Sequence, residues 1–254
     1  MRNRIRASLL HLLISLFLVA SVMAIVLLVC YPKPYFEVMG VGKLLVILAI
    51  VDICLGPLIT FIIFNPAKKW LKFDLIFIAV VQLLALAYGA VTVFAARPVY
   101  LVFDADGLFT LVSAYQIPEM ELKKMHSSTL PMTGPELTGA RIPESKEERK
   151  KYIAEVFEAR VDLPRMLQYH VPYESVVGDV KAKMKPLDRL LKQQSAQHVI
   201  KTKLILNEIV NSSGLDFDDL AFVPMTTFDR QLTVIIRRSD AKIVKILPID
   251  PYAE

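Results

Sequence analysis

The stretch VDICLGPLIT, Val51–Thr60, stands in the middle of a run apolar enough to cross a bilayer, yet it holds an aspartate, a Gly-Pro pair and a threonine. An ionised side chain at mid-membrane costs about 3 kcal/mol on insertion scales, so Asp52 should turn inward and find a partner. Pro57 lacks the N–H that would bond the carbonyl of Ile53 four residues back. In hydrocarbon that freed carbonyl needs another donor. Ala49, Asp52, Gly56 and Thr60 recur at helical spacing and are all small, a stripe on which a second helix can pack closely.

Working outward, Ala7–Cys30, Lys43–Phe64 and Phe73–Ala96 are three apolar runs, each near the ~20 residues that span hydrocarbon. They predict three transmembrane helices. The first resembles a signal peptide in its basic Arg2, Arg4 and Arg6 and in SVMA ending at Ala24. However, the apolar run continues through IVLLVC, and bulky Val29 occupies the place where a lipoprotein site before Cys30 would carry a small residue. A retained anchor is therefore expected. Arg2, Arg4 and Arg6 precede the first helix, and Lys68, Lys69 and Lys72 fill the second connection, whereas the first connection has only Lys33. Both basic segments should be cytoplasmic. Everything after Arg97 is then delivered to the far side, which in a bacterium is the periplasm. Trp70, Phe73, Tyr31 and Tyr35 sit near helix ends, as interfacial rings do, and Asn65 with Pro66 ends the second helix.

The third run carries a matching stripe, Gln82, Ala85, Gly89 and Thr92. Folding it back about the lysine connection brings Tyr88 to the depth of Asp52 and Gln82 to that of Pro57. The expected intramembrane seam is Asp52, Gly56, Pro57, Thr60, Gln82, Tyr88 and Gly89. In it Tyr88 hydrogen-bonds Asp52, and Gln82 meets the backbone freed by Pro57.

The 254 residues are 54% hydrophobic with a formal charge of +5, too apolar for a soluble domain and too charged to be membrane throughout. Charged residues crowd after Arg97, so the expected domains are a transmembrane three-helix domain, 1–96, and a periplasmic α+β domain, 97–254. Lysine and arginine are spread among Glu and Asp, which argues against nucleic-acid binding. The two cysteines, Cys30 and Cys54, lie in or beside apolar runs, so the soluble part has no disulfide framework.

RPVYLVFDADGLFTLVSAYQI, Arg97–Ile117, reads as a β-hairpin with Gly107 in its turn, and QLTVIIRRSDAKIVKILPI, Gln231–Ile249, as two strands around RSDA. Between them a helix begins at Pro143 with Glu144, Glu147 and Glu148, its apolar face being Tyr152, Ile153, Val156 and Phe157. A second helical region runs from Val180 to Val210, with QQSAQH as a break, and Pro118–Pro143 is loop-like. The fold class is thus a membrane protein: an N-terminal bundle of three transmembrane α-helices, then an α+β periplasmic domain with terminal β-hairpins.

Catalytic fragments weigh little. DADG lacks the remaining ligands of a calcium loop. SDAK, Ser239–Lys242, lies between strands, where Ser-x-x-Lys chemistry needs a helical turn. His126, His170 and His198 have no metal-ligand spacing, His11 belongs inside the bundle or at its edge, and NSS at Asn211 is a chance match. No enzyme, metal or cofactor is implied.

YPKPYF from Tyr31, VDICLGPLIT from Val51, KKWLKFDL from Lys68, QLLALAYG from Gln82 and RPVYLVF from Arg97 come in an order that resembles the TfpX/TfpZ type IV pilin accessory proteins, also called FimB-like fimbrial assembly proteins. The resemblance covers the N-terminal half, and FVPM with the paired strands after it also fits. It implies a non-catalytic inner-membrane factor that supports type IV pilus assembly by acting on a major pilin. Partners would be the type IV major pilin and the lipid bilayer, with a homo-oligomer left open. Asp52 then has two readings, a pairing inside its own bundle or a pairing with the free amine of a processed pilin helix. The competing class is a membrane-tethered sensor or regulator binding a small ligand, although the short cytoplasmic segments offer no output domain.

Overall fold

A computed structural model describes residues 1–124, 129–194 and 196–252. His126 lies outside the described residues. The chain divides into two compact units, Met1–Arg97 and Pro98–Glu254.

In the first unit, three helices among the described residues are long and apolar enough to cross a membrane: α1 (Arg2–Cys30), α2 (Gly42–Ile63) and α3 (Leu71–Ala95). Leu10, Phe17, Ile47, Phe77 and Leu84 point outward, while Val19, Leu48 and Leu86 close on one another inside. This inversion of the soluble rule suits a bundle solvated by lipid. Nearer the end of α1, Val26, Cys30, Leu45 and Val93 form a second inner cluster. Tyr31, expected among the interfacial rings, is instead 1% exposed, and its hydroxyl donates to the Val93 carbonyl at 2.8 Å. A carbonyl near the end of a helix has lost its own helical donor, so a buried phenol that meets it satisfies both groups. Trp70 remains exposed.

In the second unit, eight strands among the described residues form one mixed sheet: β1 (Pro98–Phe103), β2 (Phe109–Ser113), β3 (Glu136–Ala140), β4 (His170–Pro172), β5 (Lys185–Pro186), β6 (Leu220–Thr226), β7 (Gln231–Arg237) and β8 (Ile243–Leu247). Their order is β4-β3-β1-β2-β6-β7-β8, with β5 paired to β6. The two terminal hairpins are both present. Strand β6 lies between them, parallel to β2 at Phe109 with Met225 and Thr110 with Thr226, and antiparallel to β7.

The helices are α4 (Glu119–Lys124), α5 (Lys146–Ala159), α6 (Tyr173–Lys183), α7 (Leu187–Lys192) and α8 (Ala196–Ser213). Helix α5 begins later than its proline suggests, because Ser145 is the N-cap: its Oγ accepts from the Glu148 N–H at 3.2 Å and donates to the Glu148 carboxylate at 3.0 Å. Of its expected apolar face Tyr152 packs on the core, whereas Ile153 and Phe157 are exposed.

Strand β3 falls in the segment read as loop. It runs parallel to β1, Leu101 opposite Leu137, and a Cβ on Gly139 would lie 2.6 Å from the Val176 methyls. The glycine that made this stretch look like a loop is what lets α6 approach the sheet. The expected Val180–Val210 helix is divided, with β5 and α7 between α6 and α8. One core gathers Val99, Val102, Val112, Leu163 and Leu167. Another gathers Leu187, Leu190, Leu206, Phe222 and Ile235.

The first hairpin turn is held by its aspartate. Asp104 is buried, accepts from the Asp106 N–H at 3.0 Å, and lies beside Gly107, whose φ of 81° suits glycine. Burial, with the neighbouring Asp106 charge second, pushes the Asp104 carboxyl up to about 6 from 3.8. Below pH ~4 both folded and unfolded chains hold this proton. As pH rises from about 4 through 6 the unfolded chain ionises first, so native stability is lost over that window. Denaturant unfolding of the full chain in micelles should therefore show wild type losing stability relative to Asp104→Asn between pH ~4 and ~6.5. A pH-independent difference would contradict the buried proton.

Candidate functional site

The polar groups of the first unit converge on the middle of α2. There Val51–Leu55 widens into a π-turn before Pro57, the device helices use to accommodate a break. With bonds running from each carbonyl to the N–H five residues on, the group that should serve the Asp52 carbonyl is position 57, a proline. The vacancy therefore falls on Asp52, one residue before the Ile53 carbonyl expected from α-helical spacing. Gln82 Nε2 of α3 donates to that Asp52 carbonyl at 3.2 Å.

Gly56 makes room for this contact, since a Cβ there would stand 1.9 Å from Gln82 Nε2. Gly89 does the same one level away, where an added Cβ would meet Leu48 Cδ1 at 2.1 Å. Both glycines serve close helix approach.

Helix α1 completes the seam in a way the sequence reading missed. Ser8 Oγ donates to the Pro57 carbonyl at 2.8 Å, and His11 Nδ1 hydrogen-bonds Thr60 Oγ1 at 2.6 Å. Ser15, one turn further on, is buried. The signal was present in the sequence: Ser8, His11 and Ser15 recur at helical spacing along an otherwise apolar helix.

Tyr88 does not join the seam. It is 77% exposed and the expected hydrogen bond to Asp52 does not form. Gly89 holds the inward position, and the neighbouring residue is turned about 100° away by the helix. Thus Asp52, Gly56, Pro57, Thr60, Gln82 and Gly89 come together, and Tyr88 stands at the rim.

Asp52 is 4% exposed, and its Oδ1 has no hydrogen-bond partner among the described residues. It lines two clefts. One, of about 220 Å³ between α2 and α3, is walled by Leu44, Leu48, Ala85, Gly89 and Thr92 with Tyr88 at its edge. The other, of about 100 Å³, faces His11, Ser15 and Gln82. Among the described residues no three His, Cys, Asp or Glu side chains gather as a metal would require. The arrangement packs helices and presents one buried carboxylate oxygen as an acceptor.

This is a protein with three helices of membrane-crossing length, a polar seam inside them, and an appended mixed-sheet domain. The family model for fimbrial assembly protein FimB matches residues 1–40. Similarity to proteins of Dichelobacter nodosus runs further. The fimbrial assembly protein of serogroup I is 27% identical over 245 residues, covering 95% of this chain and 93% of the relative. That of serogroup E1 is 26% identical over the same shares. That of serogroups C1 and C2 is 39% identical over 100 residues, which are 39% of this chain and 76% of the relative. The chain belongs to the FimB fimbrial assembly protein family. No solved structure matches.

The Gly56–Gln82 contact predicts a non-additive pair. Gln82→Ala strands the Asp52 carbonyl and Gly56→Ala drives the amide off it, each costing about 1–2 kcal/mol in reversible unfolding of the full chain in mixed micelles. In the double variant the new methyl enters the space the amide left, so the total should fall short of the sum by on the order of 1 kcal/mol. Additive costs would place Gln82 elsewhere.

Proposed function

We propose that this protein is an inner-membrane accessory factor that promotes type IV pilus assembly by acting, without catalysis, on a cognate major pilin. The observation that carries this reading is similarity along 95% of the chain to proteins named for fimbrial assembly, in a molecule that joins an apolar bundle to a folded α+β domain. A pilin before assembly is likewise a membrane helix with a periplasmic head, so each part of this chain has a counterpart to meet. The basic residues Arg2, Arg4, Arg6, Lys68, Lys69 and Lys72 support a cytoplasmic N-terminus. With three crossings, the domain after Arg97 then lies in the periplasm, on the side of the pilin head.

Deletion of the gene tests the proposal. Surface pili should be lost while pilin persists in the membrane fraction, and the full chain supplied in trans should restore them. Unchanged piliation at matched pilin levels would overturn it.

A further inference from the structure

We propose that the cleft between α2 and α3 seats the membrane helix of the pilin, with Asp52 at its floor taking a hydrogen-bond donor or cationic group from that helix. This rests on the pilus-assembly reading above and adds a site to it.

The vacancy left by Pro57 is met by Gln82 through the Asp52 backbone carbonyl, which any residue at position 52 would provide. The Asp52 carboxyl is not the acceptor of that bond, although Gln82 and His11 also border it; the residue is 4% exposed, and its Oδ1 has no partner among the described residues. A buried carboxylate oxygen that no donor reaches is held at a cost.

The cleft it lines is shaped for such a donor to arrive. Its volume is about 220 Å³, and one wall is built from Ala85, Gly89 and Thr92, small residues that let a neighbouring backbone come close. A helix ~10 Å across does not fit inside that volume. It would lie across the opening between Leu44 and Tyr88 and insert one side chain or its chain end. Tyr88 is exposed beside this opening with no role inside the bundle, where its ring can pack on an arriving helix. The partner's chemistry follows from the acceptor: an apolar helix with one donor or cation at matching depth, its charge complementary to the carboxylate.

Site-specific photo-crosslinking in piliated cells tests the seat. A photoreactive residue is placed singly at Leu44 and Tyr88, at Leu10 and Phe17 on the outer face of α1, and at Phe157 and Phe228 in the second unit, and adducts are probed with antibody to pilin. Leu44 and Tyr88 should give pilin adducts, and Leu10 and Phe17 should not. Asp52→Asn should lower the Tyr88 adduct about tenfold or more, the loss expected from one charge-assisted hydrogen bond. Should Asp52→Asn reduce protein abundance, Ala85→Leu fills the cleft while leaving the Gln82 contact in place, and it should remove the same adduct.

Pilin adducts from Leu10 or Phe17, or from Phe157 and Phe228 alone, would overturn the cleft and leave the assembly role standing. Adducts to a second copy of this chain, or to lipid only, at Leu44 and Tyr88 would also overturn it. An absence of pilin adducts at all six positions would sink the pilin reading itself.

Discussion

Pro57 has no N–H to give, and the bundle is arranged around that deficit. In water the carbonyl it abandons would bind solvent. In hydrocarbon a partner must come from another helix. The π-turn at Val51–Leu55 moves the vacancy to the Asp52 carbonyl, and Gln82 of α3 fills it. That one contact fixes the register of α3 against α2, and it is why position 56 is a glycine, since any Cβ there would occupy the place of the amide. Helix α1 is tied to the same turn through Ser8 at the Pro57 carbonyl and His11 at Thr60. Three helices with otherwise interchangeable leucines thus acquire one arrangement, because polar groups in hydrocarbon have few alternative partners.

The second unit obtains its specificity differently. Strands β1, β2, β6 and β7 are buried along most of their length, so the hydrophobic pattern alone does not say which of them lie side by side. The parallel contact of β2 with β6 decides it, with β6 giving its other edge wholly to β7. Close approach again depends on a glycine, Gly139, which admits the Val176 methyls of α6.

Local chemistry was legible in the sequence, and long-range pairing was not. The terminal hairpins could be read because DADG and RSDA are turn sequences between β-branched runs. The helix after Ser145 could be read from Pro143 and the glutamates that follow it, although its start is set by the Ser145 cap. Strand β3 was hidden because ELTGA is short, carries a glycine and lies among prolines, and only its partner β1 makes it a strand. The helical region read from Val180 took in only the end of α6 and ran it on into α7, because the two-residue β5 between them is too brief to announce itself. In the bundle, depth matching placed Gln82 correctly near Pro57. It failed for Tyr88 because depth says nothing of rotation about the helix axis, and Gly89 had already taken the inward direction.

The same geometry keeps apart two properties of position 52, its main-chain carbonyl and its side chain. Here the repair of the Pro57 vacancy is made by Gln82 acting on a main-chain carbonyl, and the Asp52 carboxyl beside it keeps Oδ1 without a partner among the described residues. Serine or alanine would keep that carbonyl and pack beside Gly56 without the cost of about 3 kcal/mol that insertion scales assign to a central aspartate. The helix packing therefore explains Gly56, Pro57, Thr60 and the Nε2 of Gln82, and it leaves Asp52 Oδ1 and Gln82 Oε1 as buried seam oxygens without partners among the described residues.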